Sequence, residues 1–174
     1  WLKGYFKERK IKFTCVREPG ETKSGKGIRK ILLDNPKFDL HPLTELFLYE
    51  ADRIETFHKI IIPHLKEKVS VLEDRSWPAS YVYQGVAGGL NQTHKGLVKY
   101  LNETATLGIL PDILFILDGD LVQLLRRKEN KDRMESKGEE FHQKVREGYL
   151  EVAKLYPDIS VIIHYQDGKP EAMQ

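Results

Sequence analysis

The sequence predicts an α/β fold, a parallel sheet covered by helices on both faces. Three observations carry that expectation. Short β-type runs at 12–16, 69–72, 113–117 and 160–165 are separated by stretches of helical period. Residues 113–117 form a fully apolar run of five, the pattern of a strand buried on both faces. Strands separated by helices imply crossover connections and therefore parallel pairing. With 174 residues, 40% hydrophobic and 31% charged, the chain is sized for one domain spanning 1–174 with a core of its own.

Taken in order, Trp1, Leu2, Tyr5 and Phe6 recur at helical spacing, so the chain opens on the tail of a helix. After the strand at 12–16, Ser24 can cap a helix presenting Ile28, Ile31 and Leu32 on one face. A long helix starts at Pro42, with Leu43, Leu46, Phe47, Ile54, Phe57 and Ile61 in one stripe, and Pro63 ends or kinks it. The strand at 69–72 precedes a helix opened by Pro78 and stopped by Gly88-Gly89. A further helix runs over 94–107 with Gly108 as its C-terminal cap. Beyond 113–117 come a charged helix near 121–131 and an amphipathic one carrying Phe141, Val145, Tyr149 and Val152. The strand at 160–165 follows, and another helix could begin at Pro170. A parallel α/β fold usually opens with a strand, so the pattern suggests one βα unit incomplete at the front.

Composition excludes several classes. Lys+Arg 28 against Asp+Glu 26 gives a net charge of +2, which offers no warrant for nucleic-acid binding. A single cysteine, Cys15, rules out an internal disulfide framework and a multi-cysteine metal site. It lies in a strand, where a buried, inert thiol is expected. No apolar run approaches a membrane span, and the first ten residues carry no signal-peptide core. The two Asn-x-Thr sequons at Asn91 and Asn102 then read as chance. The six histidines show no i, i+3 or i, i+4 pairing for a metal, no Gly-x-Ser-x-Gly elbow is present, and Gly25-Lys26-Gly27 lacks Walker A spacing.

In such sheets ligands bind beyond the carboxyl ends of the strands. Just past three of the expected strands stand Arg17-Glu18, Asp74-Arg75 and Asp118. Charged groups there either pair with one another along the rim or meet a ligand, and arginine suits bidentate capture of phosphate. A second cluster, Arg126-Arg127-Lys128 through Asp132-Arg133, reads either as a solvated helix face or as a basic segment that closes over phosphates.

The ordered motifs resemble the thymidylate kinase family: Arg17-Glu18-Pro19-Gly20, then Leu46-Phe47-Leu48-Tyr49-Glu50-Ala51-Asp52-Arg53, Asp74-Arg75, Tyr83-Gln84-Gly85, Leu117-Asp118 and Asp132-Arg133-Met134-Glu135. The resemblance implies a P-loop nucleoside-monophosphate-kinase-like fold and transfer of the ATP γ-phosphoryl group to dTMP with Mg²⁺. It implies a substrate-binding set of Arg17, Tyr49, Arg53, Arg75, Ser80, Tyr83 and Gln84. In it Arg75 holds the dTMP phosphate, Tyr49 stacks on thymine, Arg53 reads the base edge and Tyr83 crowds out a 2′-hydroxyl. It implies a catalytic set of Arg75, Asp74, Arg127 and Arg133, with Asp74 orienting the Mg²⁺ shell. Arg126, Arg127 and Arg133 belong to an ATP-binding lid at about 126–138. Glu18-Pro19 is expected as a cis peptide, and the family's homodimeric, cytoplasmic character carries over as an expectation. There are departures: Tyr49 replaces the usual Phe, Ser76 an aromatic, Ala87-Gly88-Gly89 an Ala-Arg-Gly, and Glu21 a glycine. The family's first strand and P-loop belong ahead of Trp1, so activity without them is in doubt. The rival readings are another P-loop nucleotide kinase and a nucleotide-binding module without catalysis.

Overall fold

The computed structural model describes residues 2–34, 38–94, 96–119, 132–166 and 169–170. Helix α1 (Leu2–Glu8) leads into strand β1 (Phe13–Arg17), with Phe6 edge-on to Phe13 at 5.5 Å. Helix α2 (Lys23–Arg29) runs on through a widened π-type turn at Lys30–Asp34. Its cap is Thr22, whose hydroxyl accepts the Gly25 N–H. The expected cap, Ser24, sits inside the helix, bonded to Glu55. Leu32 and Leu33 face the core here, while Ile31 is exposed.

Helix α3 (Pro42–Thr56) continues through a π-type turn at Phe57–Ile61 into α4 (Ile62–Lys66). Pro63 therefore does not end the helical run. It falls in the first turn of α4, and the widened turn before it accommodates the missing N–H and the ring. The apolar stripe expected on α3 is corrected too. Leu46, Phe57 and Ile61 are buried, but Phe47 is 52% exposed and Ile54 39%. The buried face instead carries Glu45, Glu50, Asp52, Arg53 and Thr56.

Strand β2 (Ser70–Asp74) pairs parallel with β1, Phe13 opposite Ser70 through Arg17 opposite Asp74. Helix α5 (Trp77–Ser80) widens into a π-type turn at Tyr81–Ala87. Gly89, at φ +79°, then turns the chain into the short α6 (Leu90–Thr93). Helix α7 (Leu97–Thr106) starts after Gly96, later than expected, and ends in left-handed Leu107 and Gly108. Strand β3 (Leu114–Gly119) pairs parallel with β4 (Ser160–Gln166). Helix α8 (Glu139–Leu155) buries Val145 and Val152 against Trp77 and Val82.

The described strands form two groups, β1–β2 and β3–β4–β5, and β5 (Lys169–Pro170) is antiparallel to β4, where the sequence suggested the start of a helix. The expectation that 113–117 is buried on both faces fails. Leu114 packs with the α8 core, but Ile113, Phe115 and Leu117 point to the opposite face and are exposed. Alternate strand side chains face opposite ways, and α8 covers one of those faces. Cys15 is half-buried rather than buried. The charged helix expected near 121–131 lies outside the described residues.

Candidate functional site

Parallel register brings the carboxyl ends of β1 and β2 to one rim, where Arg17 Nε lies 3.5 Å from Asp74 Oδ2 and both side chains are exposed. Beyond β1 the Glu18–Pro19 peptide is cis, and Gly20 adopts φ +113°. The Gly20 N–H donates to both carboxylate oxygens of Asp52, at 3.1 and 3.2 Å, tying this loop to α3. Burial raises the Asp52 pKa, against the pull of that bond. Glu21, the departure from a glycine, accepts the Arg17 N–H. Beyond β2, Arg75 holds φ +65°, a left-handed conformation that non-glycine residues rarely keep without cause.

Arg53 is the centre of the buried part. Its Nε donates to Glu18 Oε2 at 2.9 Å, and its Nη1 to Glu50 Oε1 (2.6 Å), Ser80 Oγ (2.9 Å) and Asn102 Oδ1 (2.9 Å). These bonds gather four separate segments around one guanidinium that is 1% exposed. Carboxylates outnumber the cation. Burial pushes Glu18 up to about 8, with Arg53 opposing and Glu73 and Asp52 adding to the rise. Burial raises Glu73 as well. Glu18 Oε1, Glu50 Oε2 and Glu73 Oε1 are buried with no hydrogen-bond partner. Charges this crowded hold a proton more tightly than free carboxylates do.

Next to this polar knot lies an aromatic wall. The Arg75 guanidinium sits 5.4 Å from the Tyr83 ring centroid, and Tyr83 lies 6.1 Å from Phe141 and 6.4 Å from Tyr149. Tyr49 packs in the same cluster as Tyr83 and Phe141, over Leu32 and Met134. Desolvation works against the Arg75 charge, but Tyr83, Tyr149, Tyr49 and Asp132 hold its pKa above the ordinary value. Burial raises the Tyr49 and Tyr149 phenols, so both stay neutral. A planar base can insert among such rings while a phosphate meets arginine.

Two turns before Arg53 on α3, Glu45 accepts from Arg133 Nη1 at 2.6 Å and from Gln84 Nε2 at 3.1 Å. Arg133 Nε also donates to the Leu32 carbonyl at 2.7 Å. At the end of β3, Asp118 accepts from Arg146 Nε (2.5 Å) and Nη2 (3.0 Å). The Arg146 bond first, and the nearby His164 after it, keep the Asp118 carboxyl below its usual range.

The structure thus brings Tyr49, Arg53, Arg75, Ser80, Tyr83 and Gln84 around one region, with Arg17 and Asp74 on the exposed rim. Arg133, expected on a lid over ATP, is instead buried and bonded to Glu45 and Leu32, because a carboxylate of α3 meets it there. Arg126 and Arg127 lie outside the described residues. Among the described residues no cluster of three or more His, Cys, Asp or Glu is placed to hold a metal. The expected site set left out Glu45, Glu50, Asn102, Phe141 and Tyr149, although Glu50 stands inside one of the motifs. Glu45, Tyr49 and Arg53 stand at i, i+4 and i+8 on α3, a spacing that could have flagged Glu45 as sharing their face.

Comparison with known proteins agrees with this arrangement. The family description Thymidylate kinase matches residues 1–174. A thymidylate kinase from Thermoanaerobacter sp. (strain X514) is 40% identical over 176 residues, covering 100% of this chain and 83% of that protein. One from Desulfosudis oleivorans is 43% identical over 162 residues, covering 86% and 74%. The crystal structure of thymidylate kinase from Ehrlichia chaffeensis superimposes with a TM-score of 0.71 at 30% identity, covering 95% of this chain and 77% of that one. Among the described residues no helix is long and apolar enough to cross a membrane. Sequence agreement across residues 1–174, the shared fold and the ordered motifs around Arg53 and Arg75 together place the chain in the thymidylate kinase family.

Proposed function

We propose that the chain binds dTMP between the aromatic wall and the arginines, and that the protein transfers the ATP γ-phosphoryl group to it, forming dTDP and ADP. The observation that carries this reading is Arg75. It stands in a strained conformation at the end of β2, over Tyr83 and beside Tyr49 and Tyr149. In this reading Arg75 takes the acceptor phosphate, Tyr49 stacks on the base and Tyr83 lies under the sugar. Arg53 offers its Nη2, which takes no part in the four bonds above, to the base edge. Ser80 acts by holding Arg53 in place, and Gln84 lines the same wall. Arg17, on the rim, meets the phosphate side.

Mg²⁺ fits the rim rather than a cage. It keeps waters and substrate phosphates as ligands and needs one or two carboxylates, and Asp74 is an exposed carboxylate whose nearest cation is 3.5 Å away. Asp74 would hold it there, and the ion would neutralise charge on the phosphates. Arg126 and Arg127 complete the ATP-binding lid in this reading, over a single domain spanning 1–174. The same reading includes a cytoplasmic homodimer, supported by the uncovered apolar side chains Phe47 and Ile54 on the outer face of α3.

Calorimetric titration of Arg75→Ala with dTMP tests the proposal. Loss of a charge-assisted hydrogen bond of about 1.5–3 kcal/mol should weaken binding by roughly tenfold or more. Unchanged affinity removes Arg75 from the site. A turnover panel of nucleoside monophosphates separates dTMP from the acceptor of any other P-loop kinase.

A further inference from the structure

Glu45 has no place in the acceptor site as described, yet it is 1% exposed and joins that site's Gln84 to Arg133 and Lys137. It lies on α3 one turn before Tyr49 and two before Arg53. Its Oε2 takes the Gln84 amide, its Oε1 takes Arg133, and Lys137 Nζ stands 3.8 Å from Oε1. We infer that Glu45 is a positioning residue for the acceptor nucleotide: its carboxylate fixes the direction of the Gln84 amide and locks that wall to the segment carrying Arg133 and Lys137. The inference rests on the acceptor-site reading above.

A buried amide can sit in two orientations that exchange its nitrogen and oxygen. A carboxylate only accepts, so it admits the orientation that presents Nε2 and leaves the Gln84 Oε1 as the pole turned elsewhere. Gln84, itself 1% exposed, follows Tyr83 directly in the π-type turn at Tyr81–Ala87. Holding Gln84 therefore holds the backbone that aims Tyr83 at Arg75. Stability alone is a poor reason for the arrangement, because apolar side chains of similar size generally serve as well as a buried ion pair. Directionality is what the carboxylate adds. Arg133 extends it, since its Nε bond to the Leu32 carbonyl ties the same carboxylate to the π-type turn that follows α2.

Glu45→Gln removes the acceptor-only character at nearly constant volume. The new amide brings a donor of its own into a place already supplied with donors from Gln84, Arg133 and Lys137, and the simplest relief is a flip of Gln84. Steady-state kinetics of the enzyme with Glu45→Gln, Gln84→Ala and the double variant test this, with Arg75→Ala measured alongside. Glu45→Gln should raise KM for dTMP roughly three- to tenfold while leaving kcat and KM for ATP within about twofold. The double variant should be no worse than the larger single, because Glu45 acts through Gln84. Additive effects, or equal losses toward dTMP and ATP, or a lowered melting temperature with unchanged KM, overturn the inference. If Glu45→Gln does not fold, Glu45→Asp replaces it in the same cycle, since a displaced acceptor still misplaces Gln84. Unchanged KM for dTMP in Arg75→Ala overturns the acceptor-site reading itself. A defect in Arg75→Ala with additive Glu45 and Gln84 effects overturns the role of Glu45 alone.

Discussion

Replacing Glu18 by Gln should make the protein more stable in alkaline solution, although Glu18 Oε2 accepts a buried hydrogen bond from Arg53. Glu18 is 3% exposed and shares its surroundings with Glu73, Asp52 and Glu50 around the cation Arg53. Burial holds its proton up to about 8, against an ordinary value of 4.5. Between those values the folded protein binds more protons than the unfolded chain, so stability falls as pH rises through that interval and levels off above it. At about 1.4 kcal/mol per pH decade the loss is at most ~5 kcal/mol. Sharing of the proton with Glu73 and local relaxation reduce the expected loss to about 2 kcal/mol. Gln keeps the oxygen that accepts from Arg53 Nε but never ionises. Urea unfolding of both proteins at about pH 5, 7 and 9 and constant salt reads the difference, in which all other titrations cancel. The variant should match the parent at the acid end and exceed it by about 2 kcal/mol at the alkaline end. Parallel stability profiles, or a variant that is weaker at the alkaline end, would show that Glu18 is ionised in the folded protein at neutral pH and refute the reasoning.

Three further outcomes are expected. Tyr83→Ala should narrow the preference for dTMP over ribothymidine monophosphate by roughly 1–3 kcal/mol, read as the ratio of kcat/KM values; an unaltered ratio assigns sugar choice to another residue. Gly25→Ala places a Cβ 2.1 Å from Asp52 Oδ1, which disturbs the anchor of Gly20, and should cost about 1–3 kcal/mol in thermal unfolding. An unchanged melting temperature would mean that the Asp52–Gly20 bond contributes nothing. Arg53→Met leaves Glu18 and Glu50 without their cation and should cost about 3–5 kcal/mol by urea titration, a loss that a peripheral salt bridge would not produce.

The sequence reading went furthest where packing is apolar and periodic. Phe141, Val145, Tyr149 and Val152 mark α8, and its inward face is the one they predict. The parallel partners β1–β2 and β3–β4 also follow from the alternation of strands and helices. It misjudged α3 because periodicity counts apolar side chains. The buried face there is held by Glu45, Glu50, Asp52 and Arg53, which a hydrophobic pattern scores as solvent-facing. Tyr49, Arg53, Arg75 and Tyr83 were found through motif order. Asn102 was not, since its role depends on α7 and the Arg53 side chain meeting across 49 residues of chain. Ile113, Phe115 and Leu117 read as doubly buried because an apolar run does not reveal which side a helix covers.

The inverted burial of α3 has a bearing on how the chain assembles. Helices docked by leucine stripes tolerate a shift of one turn, because one apolar contact substitutes for another. Helix α3 is docked by directional groups: Arg53 needs Glu18 and Asn102 at one end, and Glu45 needs Gln84 and Arg133 at the other. A slip of one turn would strand a guanidinium and several carboxylates away from water with no counterpart, a penalty far larger than any gain from the misplaced apolar side chains. The helix therefore works as a keyed joint. It accepts a single register, and seating it brings Tyr49 and Arg53 to their working positions in the same step that completes the fold.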